Sequence, residues 1–331
     1  LGRIAYALEE DQYRYHPCTH LGSVLARRAF RLTHALDHSE KRCLKFAHWW
    51  QKNSGRTMPE LHFEARPFFE ELRNNPPSAC IIATPPASHV DLALAVLDAG
   101  VRQIVLEKPI SLHLGQAQQL LGAAKKKKAR IRVNFERRYH NGYRKIQTLI
   151  ESEQLGVLRS VQGKVLRGPI RHGEGAGMEG PLLHDAIHWL DLLLYYAGKP
   201  HNVFYRRMDL SSRPPLEHTV FMRFDYPNFS AVLESGGRRR YFTFEMELDF
   251  ERGRIRAGNT GFELFLSRPS RRYAQFFELK PARFAFRPNN PWLDLYRELE
   301  RDCRGQSTAN SSSLESAMES LAIVDQVYRM L

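Results

Sequence analysis

Two short apolar runs constrain this chain most: Cys80-Ile81-Ile82-Ala83-Thr84-Pro85-Pro86, and Arg102-Gln103-Ile104-Val105-Leu106 with Glu107-Lys108-Pro109 after it. Neither alternates polar with apolar side chains, and both are rich in β-branched residues, the pattern of strands buried on both faces. Such strands belong to parallel sheets covered by helices on each side, so this part of the chain must be of the α/β type. Both runs end in polar or proline residues at their carboxyl edge, where open α/β sheets bind ligands.

The flanking sequence extends the pattern. Strands are predicted at 31–36, near 61–65, at the run ending in Thr84, at the run ending in Glu107 and at 130–135, with helices at 39–50, 67–73, 88–98 and 111–127. That alternation has the spacing of βα units and makes up half or more of a doubly wound sheet. After Tyr139 the character changes. A helix at 143–152 leads to a strand at 158–167, a glycine-rich loop at 168–180 and a helix at 181–197. Strands at 203–207, 219–224, 231–234, 242–250, 254–257 and 262–266 then follow without helices between them, which predicts an antiparallel sheet. Helices at 292–303 and 313–330 end the chain. The expected class is α/β plus α+β, with a doubly wound parallel domain over 1–139 and a second domain over 140–331 built on a large, open, mainly antiparallel sheet. A chain of 331 residues is long enough for two such cores.

The net charge of +13 raises the question of nucleic acid. Its basic runs are separate: residues 125–128 close a predicted helix, and Arg238-Arg239-Arg240 follow a Gly-Gly turn. No helix-turn-helix, zinc-finger or aromatic RNA-binding signature accompanies them, so no nucleic-acid partner is expected. No membrane span is expected either, because the apolar stretch at 189–196 is short and interrupted by Asp191. The four cysteines, Cys18, Cys43, Cys80 and Cys303, lack metal-ligand spacing and suit reduced thiols in a cytoplasmic protein.

At the start, Leu1-Gly2-Arg3-Ile4-Ala5 looks like the second half of a G-x-G-x-x-A turn entering a helix, with Gly2, Arg3 and Ile4 against a pyrophosphate and Ala5 where helix and strand pack. The first glycine and its strand would lie upstream, and that strand would be central in the sheet. Two alternatives stay open: the polypeptide continues upstream, which is the expectation, or the fingerprint and cofactor binding are lost. Asp37, ending the second strand, suits a ribose 2′-hydroxyl or serves only as a helix cap. Its distance from Gly2 exceeds the usual interval of about 20 residues, so residues 9–20 would be an insertion.

Four motifs in order carry a family resemblance. They are Thr84-Pro85-Pro86 with His89, Glu107-Lys108-Pro109, Asn134-Phe135-Glu136-Arg137-Arg138-Tyr139, and residues 180–191 with His184-Asp185-Ala186-Ile187-His188. Together they resemble the glucose-fructose oxidoreductase and inositol dehydrogenase (Gfo/Idh/MocA) family of NAD(P)-dependent oxidoreductases, over nearly the whole chain. The resemblance implies a Rossmann domain, a second domain for substrate and oligomerisation, a sugar, cyclitol or related polyol substrate, and a homodimer or homotetramer paired through the open sheet. It implies that Thr84, Pro85 and His89 lie along the cofactor and that Glu107 and Pro109 shape the loop presenting Lys108. Hydride leaves a carbinol carbon only if the hydroxyl proton leaves too, so the site needs a donor to orient the oxygen and a base. Lys108 beside a cationic nicotinamide suits either role, and positioning the hydroxyl is the leading expectation. His188 matches the family's catalytic histidine and suits the second.

Here the chain departs from the common pattern, which has Asp four residues before that histidine. His184 stands there, with Asp185 one step later, and on an α-helix His184 and His188 would share a face while Asp185 reaches His188 at a spacing of three. The spelling H-D-x-x-H lies one methylene from the H-E-x-x-H of zinc hydrolases, but no third ligand is evident and no metal is expected. Arg138 and Tyr139 contact substrate or form a structural junction. NAD is the expected cofactor from Asp37, with NADP left open by Arg42. The alternative to an enzyme is a non-catalytic sensor or scaffold of the same fold.

Overall fold

The computed structural model describes residues 2, 4–168, 180–208, 218–306 and 309–328, so Arg3 and the interior of the predicted glycine-rich loop lie outside the described residues. In chain order, a 3-10 turn at Ala7–Glu10 precedes helix α1 (His20–Leu25), then strand β1 (His34–Leu36), α2 (Glu40–Asn53), β2 (Glu60–His62), α3 (Ala65–Asn74), β3 (Cys80–Ile82), α4 (His89–Asp98), β4 (Gln103–Leu106), α5 (Leu114–Lys126) and β5 (Arg130–Val133). Next come α6 (Asn141–Glu151), β6 (Leu158–Leu166), α7 (Ile187–Ala197), and seven strands: β7 (Asn202–Met208), β8 (Thr219–Asp225), β9 (Ser230–Gly236), β10 (Thr243–Phe250), β11 (Gly253–Gly258), β12 (Gly261–Pro269) and β13 (Phe277–Ala282). Helices α8 (Pro291–Cys303) and α9 (Leu314–Tyr328) follow.

These elements form two compact units. One holds Leu1–Tyr139 with Asn289–Met318, the other His140–Pro288 with Glu319–Leu331. Helix α8 therefore packs with the first unit, far from it in sequence.

In the first unit all strand pairs are parallel, but the sheet is in two pieces, β1–β2 and β3–β4–β5. β4 and β5 have the continuous burial that their apolar runs predict, whereas Cys80 and Ile81 of β3 are only half-buried. The reason is local: β1 and β3 both border a cavity of about 740 Å³, lined by residues 31–36 and 76–84 together with Ala5, Tyr6, Leu21 and Val24. One strand edge on each side of it has no ladder partner among the described strands.

Helix α2 buries Cys43, Phe46, Trp49 and Trp50, spaced at three or four residues or adjacent, so one stripe of the helix meets the sheet. Phe46, Trp49 and Trp50 join Tyr6, Leu21 and Ala35 in one cluster. Helix α8 is tied to β5 by charge. Arg132 is fully buried and its guanidinium contacts the Asp302 carboxylate, which also receives Arg130 Nη1 at 2.9 Å.

The second unit is built on one eight-stranded sheet in the order β13-β12-β11-β10-β6-β9-β8-β7, antiparallel throughout except for the parallel pair β6–β9. Burial alternates along β8, β9 and β10, as expected where one face is packed and the other is open. Helix α7 covers β6 very closely. A Cβ on Gly163 would stand 2.1 Å from Trp189 Nε1, so only glycine lets the indole lie on the strand. Strand β13 escapes a hydrophobicity reading because its burial pattern is largely exposed.

Candidate active site

The carboxyl end of β4 is organised by Glu107. Its carboxylate is buried and accepts hydrogen bonds from His20 Nε2 at 2.8 Å, Asn134 Nδ2 at 2.6 Å and the Lys108 backbone N–H at 3.2 Å. His20 Nδ1 lies 2.8 Å from the Tyr296 hydroxyl, extending the chain onto α8. Burial pushes the Tyr296 phenol well up, with the Glu107 charge adding to it, so the hydroxyl keeps its proton. Burial would also raise the Glu107 carboxyl, but the His20 and Asn134 hydrogen bonds and the charges of His20 and Lys108 outweigh it and hold the group below its ordinary 4.5. Glu107 thus shapes the loop from inside, and Lys108 follows it directly at the sheet edge with a cis bond to Pro109.

The neighbouring strand end is fixed to that loop by His89, which is fully buried. Its Nε2 faces the Thr84 carbonyl at 2.7 Å and its Nδ1 the Pro109 carbonyl at 2.8 Å. Thr84 Oγ1 accepts from Ser88 Oγ at 2.8 Å, and Pro85 caps the turn at Pro86–Ser88. Burial lowers the His89 pKa below 6.5 against the pull of the two carbonyls.

Both depressed groups have the same linkage sign. A folded pKa below the unfolded one means the unfolded chain binds more protons, so stability rises with pH across the gap. The His89 contribution is fully present above its ordinary 6.5 and is lost as pH falls through the lower folded value. The Glu107 contribution is present above 4.5 and is lost as pH falls further. Melting temperature followed by circular dichroism should therefore decline in two stages below pH 7, and Glu107→Gln should reduce the lower stage while the upper one persists.

Asp37 ends β1 where the cofactor reading needs an acid. Its Oδ1 accepts from the Ser39 backbone N–H and from Arg42 Nε, each at 2.9 Å. Cap and ion pair are thus both realised at the position suited to a ribose.

The expected entry from Gly2 straight into a helix is not what forms. Residues 4–6 make a turn in which the Ala5 and Tyr6 N–H groups donate to the Gly2 carbonyl, and helix α1 starts only at His20. The intervening segment is pinned by Glu9, whose Oε1 accepts from Cys18 N at 2.8 Å and Thr19 Oγ1 at 2.7 Å. The Ile4 and Ala5 carbonyls accept from the His20 and Leu21 N–H groups, which brings the Gly2 turn against the start of α1. Among the described residues a Cβ on Gly2 would meet nothing within 4 Å, so no contact among them requires glycine there.

Of the two junction residues, Tyr139 is fully buried in a cluster with Val24, Val105, Leu295, Tyr296 and Leu299, so its ring is core. Arg138 is buried in the turn Glu136–Tyr139.

In the second unit, residues Leu182–Ala186 form one turn of π-helix before α7. The α-helical register expected for His184, Asp185 and His188 is therefore altered, because a π-turn adds a residue and rotates what precedes it; such turns are frequent at functional sites. Asp185 Oδ2 accepts from Arg167 Nη1 at 3.0 Å, and His184 Nδ1 lies 2.9 Å from the same nitrogen and 3.0 Å from Asp185 Oδ1. The Nδ1 proton decides whether His184 donates to the carboxylate or accepts from the guanidinium. His188, in the first turn of α7, is buried beside Trp189. Sequence reading missed His20, Tyr296 and Arg167. His20 and Glu107 stand 87 positions apart, and no local pattern couples them.

Residues 17–135 match the family described as an oxidoreductase family with an NAD-binding Rossmann fold, and residues 143–256 match the GFO/IDH/MocA C-terminal domain. Oxidoreductase P35 of Formosa agariphila is 31% identical over 147 residues, 40% of this chain and 44% of that protein. The scyllo-inositol 2-dehydrogenase (NADP(+)) IolW of Bacillus subtilis is 27% identical over 173 residues, 50% of this chain and 48% of that one. The chain thus spans about half or less of the curated relatives it matches. Among solved structures, the WlbA dehydrogenase of Bordetella pertussis in complex with NADH and UDP-GlcNAcA superposes with a TM-score of 0.73 at 17% identity, over 97% of this chain and 92% of that one, which is a likeness of fold.

Proposed function

We propose that this chain, which belongs to the Gfo/Idh/MocA family of oxidoreductases and carries its NAD-binding Rossmann fold, transfers hydride between NAD(P) and the carbinol carbon of a sugar, cyclitol or related polyol. The observation that carries the reading is the Glu107 network, which anchors the loop bearing Lys108 at the carboxyl edge of a parallel sheet. The positions after β1, β3 and β4 support this reading, with Asp37 proposed for the ribose, the Thr84–His89 turn for the middle of the dinucleotide and Lys108 for the reacting end. Bound there, NAD(P) accepts or supplies the hydride. The family resemblance supports Lys108 as the group that orients the substrate hydroxyl and His188 as the base; within the second unit Arg167 anchors the His184–Asp185 pair. A relative named for scyllo-inositol supports a polyhydroxylated substrate.

The open sheet face, with half-exposed Phe204, Phe221 and Val232 among charges of both signs, suits a self-complementary contact between copies. Among the described residues, no helix is long and apolar enough to cross a membrane.

Nucleotide-dependent melting shifts, followed by initial rates on a panel of polyols and nucleotide sugars, test the reading. A shift with NAD or NADP and turnover of at least one polyol are expected, whereas no shift with either leaves the sensor or scaffold reading in its place. Cofactor choice has its own test. Arg42 stands against Asp37, where a 2′-phosphate would need a cation, so Arg42→Ala should move the NAD/NADP preference toward NAD by about tenfold, the worth of one charge-assisted hydrogen bond.

A further inference from the structure

The first unit holds a cluster that the hydride-transfer reading does not use. His34 and Glu60 are direct register partners in the β1–β2 pair, and Leu36 pairs with His62. Side chains two apart on a strand share a face, so His34, Glu60 and His62 project together. Their neighbours Ala35 and Leu61 point the other way and pack with the cluster under α2. On the His62 side lies α3, with the Phe68 ring 5.3 Å from the imidazole.

Both imidazoles turn a nitrogen inward that forms no hydrogen bond. His34 Nδ1 and His62 Nε2 are buried atoms lacking a partner, and the His62 residue is 9% exposed. A buried imidazole nitrogen left so is costly, and such groups call for an unseen partner. Glu60 supplies the next group. Its Oε2 stands 3.7 Å from His34 Nδ1 and its Oε1 3.5 Å from His62 Nε2, too long for hydrogen bonds. Two ligands held about 2.0–2.1 Å from one tetrahedral ion lie about 3.4 Å apart, close to both separations. The three ligand atoms all lie within 4.8 Å of one another.

We propose that His34, Glu60 and His62 bind a divalent transition-metal ion of the zinc type, with water as the fourth ligand. Two imidazoles and one carboxylate select zinc, cobalt or nickel over magnesium or calcium, which prefer all-oxygen shells. Glu60 is more than half exposed, so the fourth position opens toward solvent. The ion cross-links β1 to β2 next to the Asp37 end, because the His62 carbonyl accepts the Asp37 N–H at 3.0 Å. It lies apart from the H-D-x-x-H spelling at 184–188, where no metal was expected.

A second trio, Glu9, His16 and Cys18, serves as an internal rival. Its groups already satisfy one another: Glu9 accepts from Cys18 N, Thr19 Oγ1 and His16, while burial first and the Glu9 charge second push the Cys18 thiol up to about 11. Titrating chelator-stripped protein with Co²⁺ distinguishes the two. One equivalent should bind with a visible d–d band and no thiolate charge-transfer band, and with an affinity that Cys18→Ser leaves unchanged. His62→Gln, and separately the exposed change Glu60→Gln, should weaken it at least about tenfold while circular dichroism shows the fold intact. No stoichiometric binding at micromolar Co²⁺, a thiolate band, or undiminished affinity in Glu60→Gln would overturn the proposal.

Discussion

Lys108→Ala is expected to lower turnover on any accepted polyol by about three powers of ten, within the range of about 10²–10⁴ for loss of a positioned acid–base group. Alanine removes the only part of Lys108 that can reach a hydroxyl oxygen, yet leaves its backbone N–H on Glu107 Oε2 and the His20–Glu107–Asn134 chain in place. Nucleotide-dependent stabilisation should therefore persist while kcat collapses, a split that separates a reacting group from a folding defect. Lys108→Arg should restore little, because a guanidinium is larger, planar and cannot give up its proton. Wild-type turnover in the alanine variant would remove Lys108 from the proposed chemistry.

Asp302→Ala is expected to destabilise the first unit by about 3–5 kcal/mol, the usual cost of removing one partner from a buried ion pair. Arg132 is completely buried, burial already disfavours its charged form, and Arg130 turns to the same carboxylate. With Asp302 gone, the guanidinium keeps the neutral Gln103 Oε1 at 3.4 Å and the Glu298 carboxylate at 3.9 Å. A domain commonly has about 5–15 kcal/mol in all, so the loss should bring the unit near its threshold, read as a large fall in the urea midpoint at unchanged slope. Replacing Arg132 and Asp302 together by leucine should cost far less, because no charge is then left uncompensated. Equal losses in the single and double variants would show that the pair acts through packing alone.

The elements that were legible were those whose own sequence carries the period of their burial. β4 and β5 are buried on every inner position, α2 and α3 present an apolar stripe, and β8 to β10 alternate. Helix α1 and strand β13 were missed: the first has only six residues after a capping Thr19, and the second is largely exposed. Asp37 and Lys108 could be placed just past strand ends because an apolar run visibly stops there, whereas Thr84 and His89 were singled out by the family resemblance. The π-turn at Leu182–Ala186 was not found, because nothing in its composition separates it from the α-helix it leads into.

By itself, the sequence determined that a parallel α/β unit is followed by an open antiparallel sheet, and that Glu107-Lys108-Pro109 lies at the carboxyl edge of the parallel sheet. Hydrophobic periodicity and chain-breaking residues are local signals, and they suffice for that much. Only the tertiary structure decided that Glu107 works from inside through His20 and Tyr296, that Arg167 holds Asp185 and His184, and that His34, Glu60 and His62 converge. Hydrogen bonds and ion pairs act over about 3 Å between groups that can be hundreds of residues apart, and only folding brings such groups within reach.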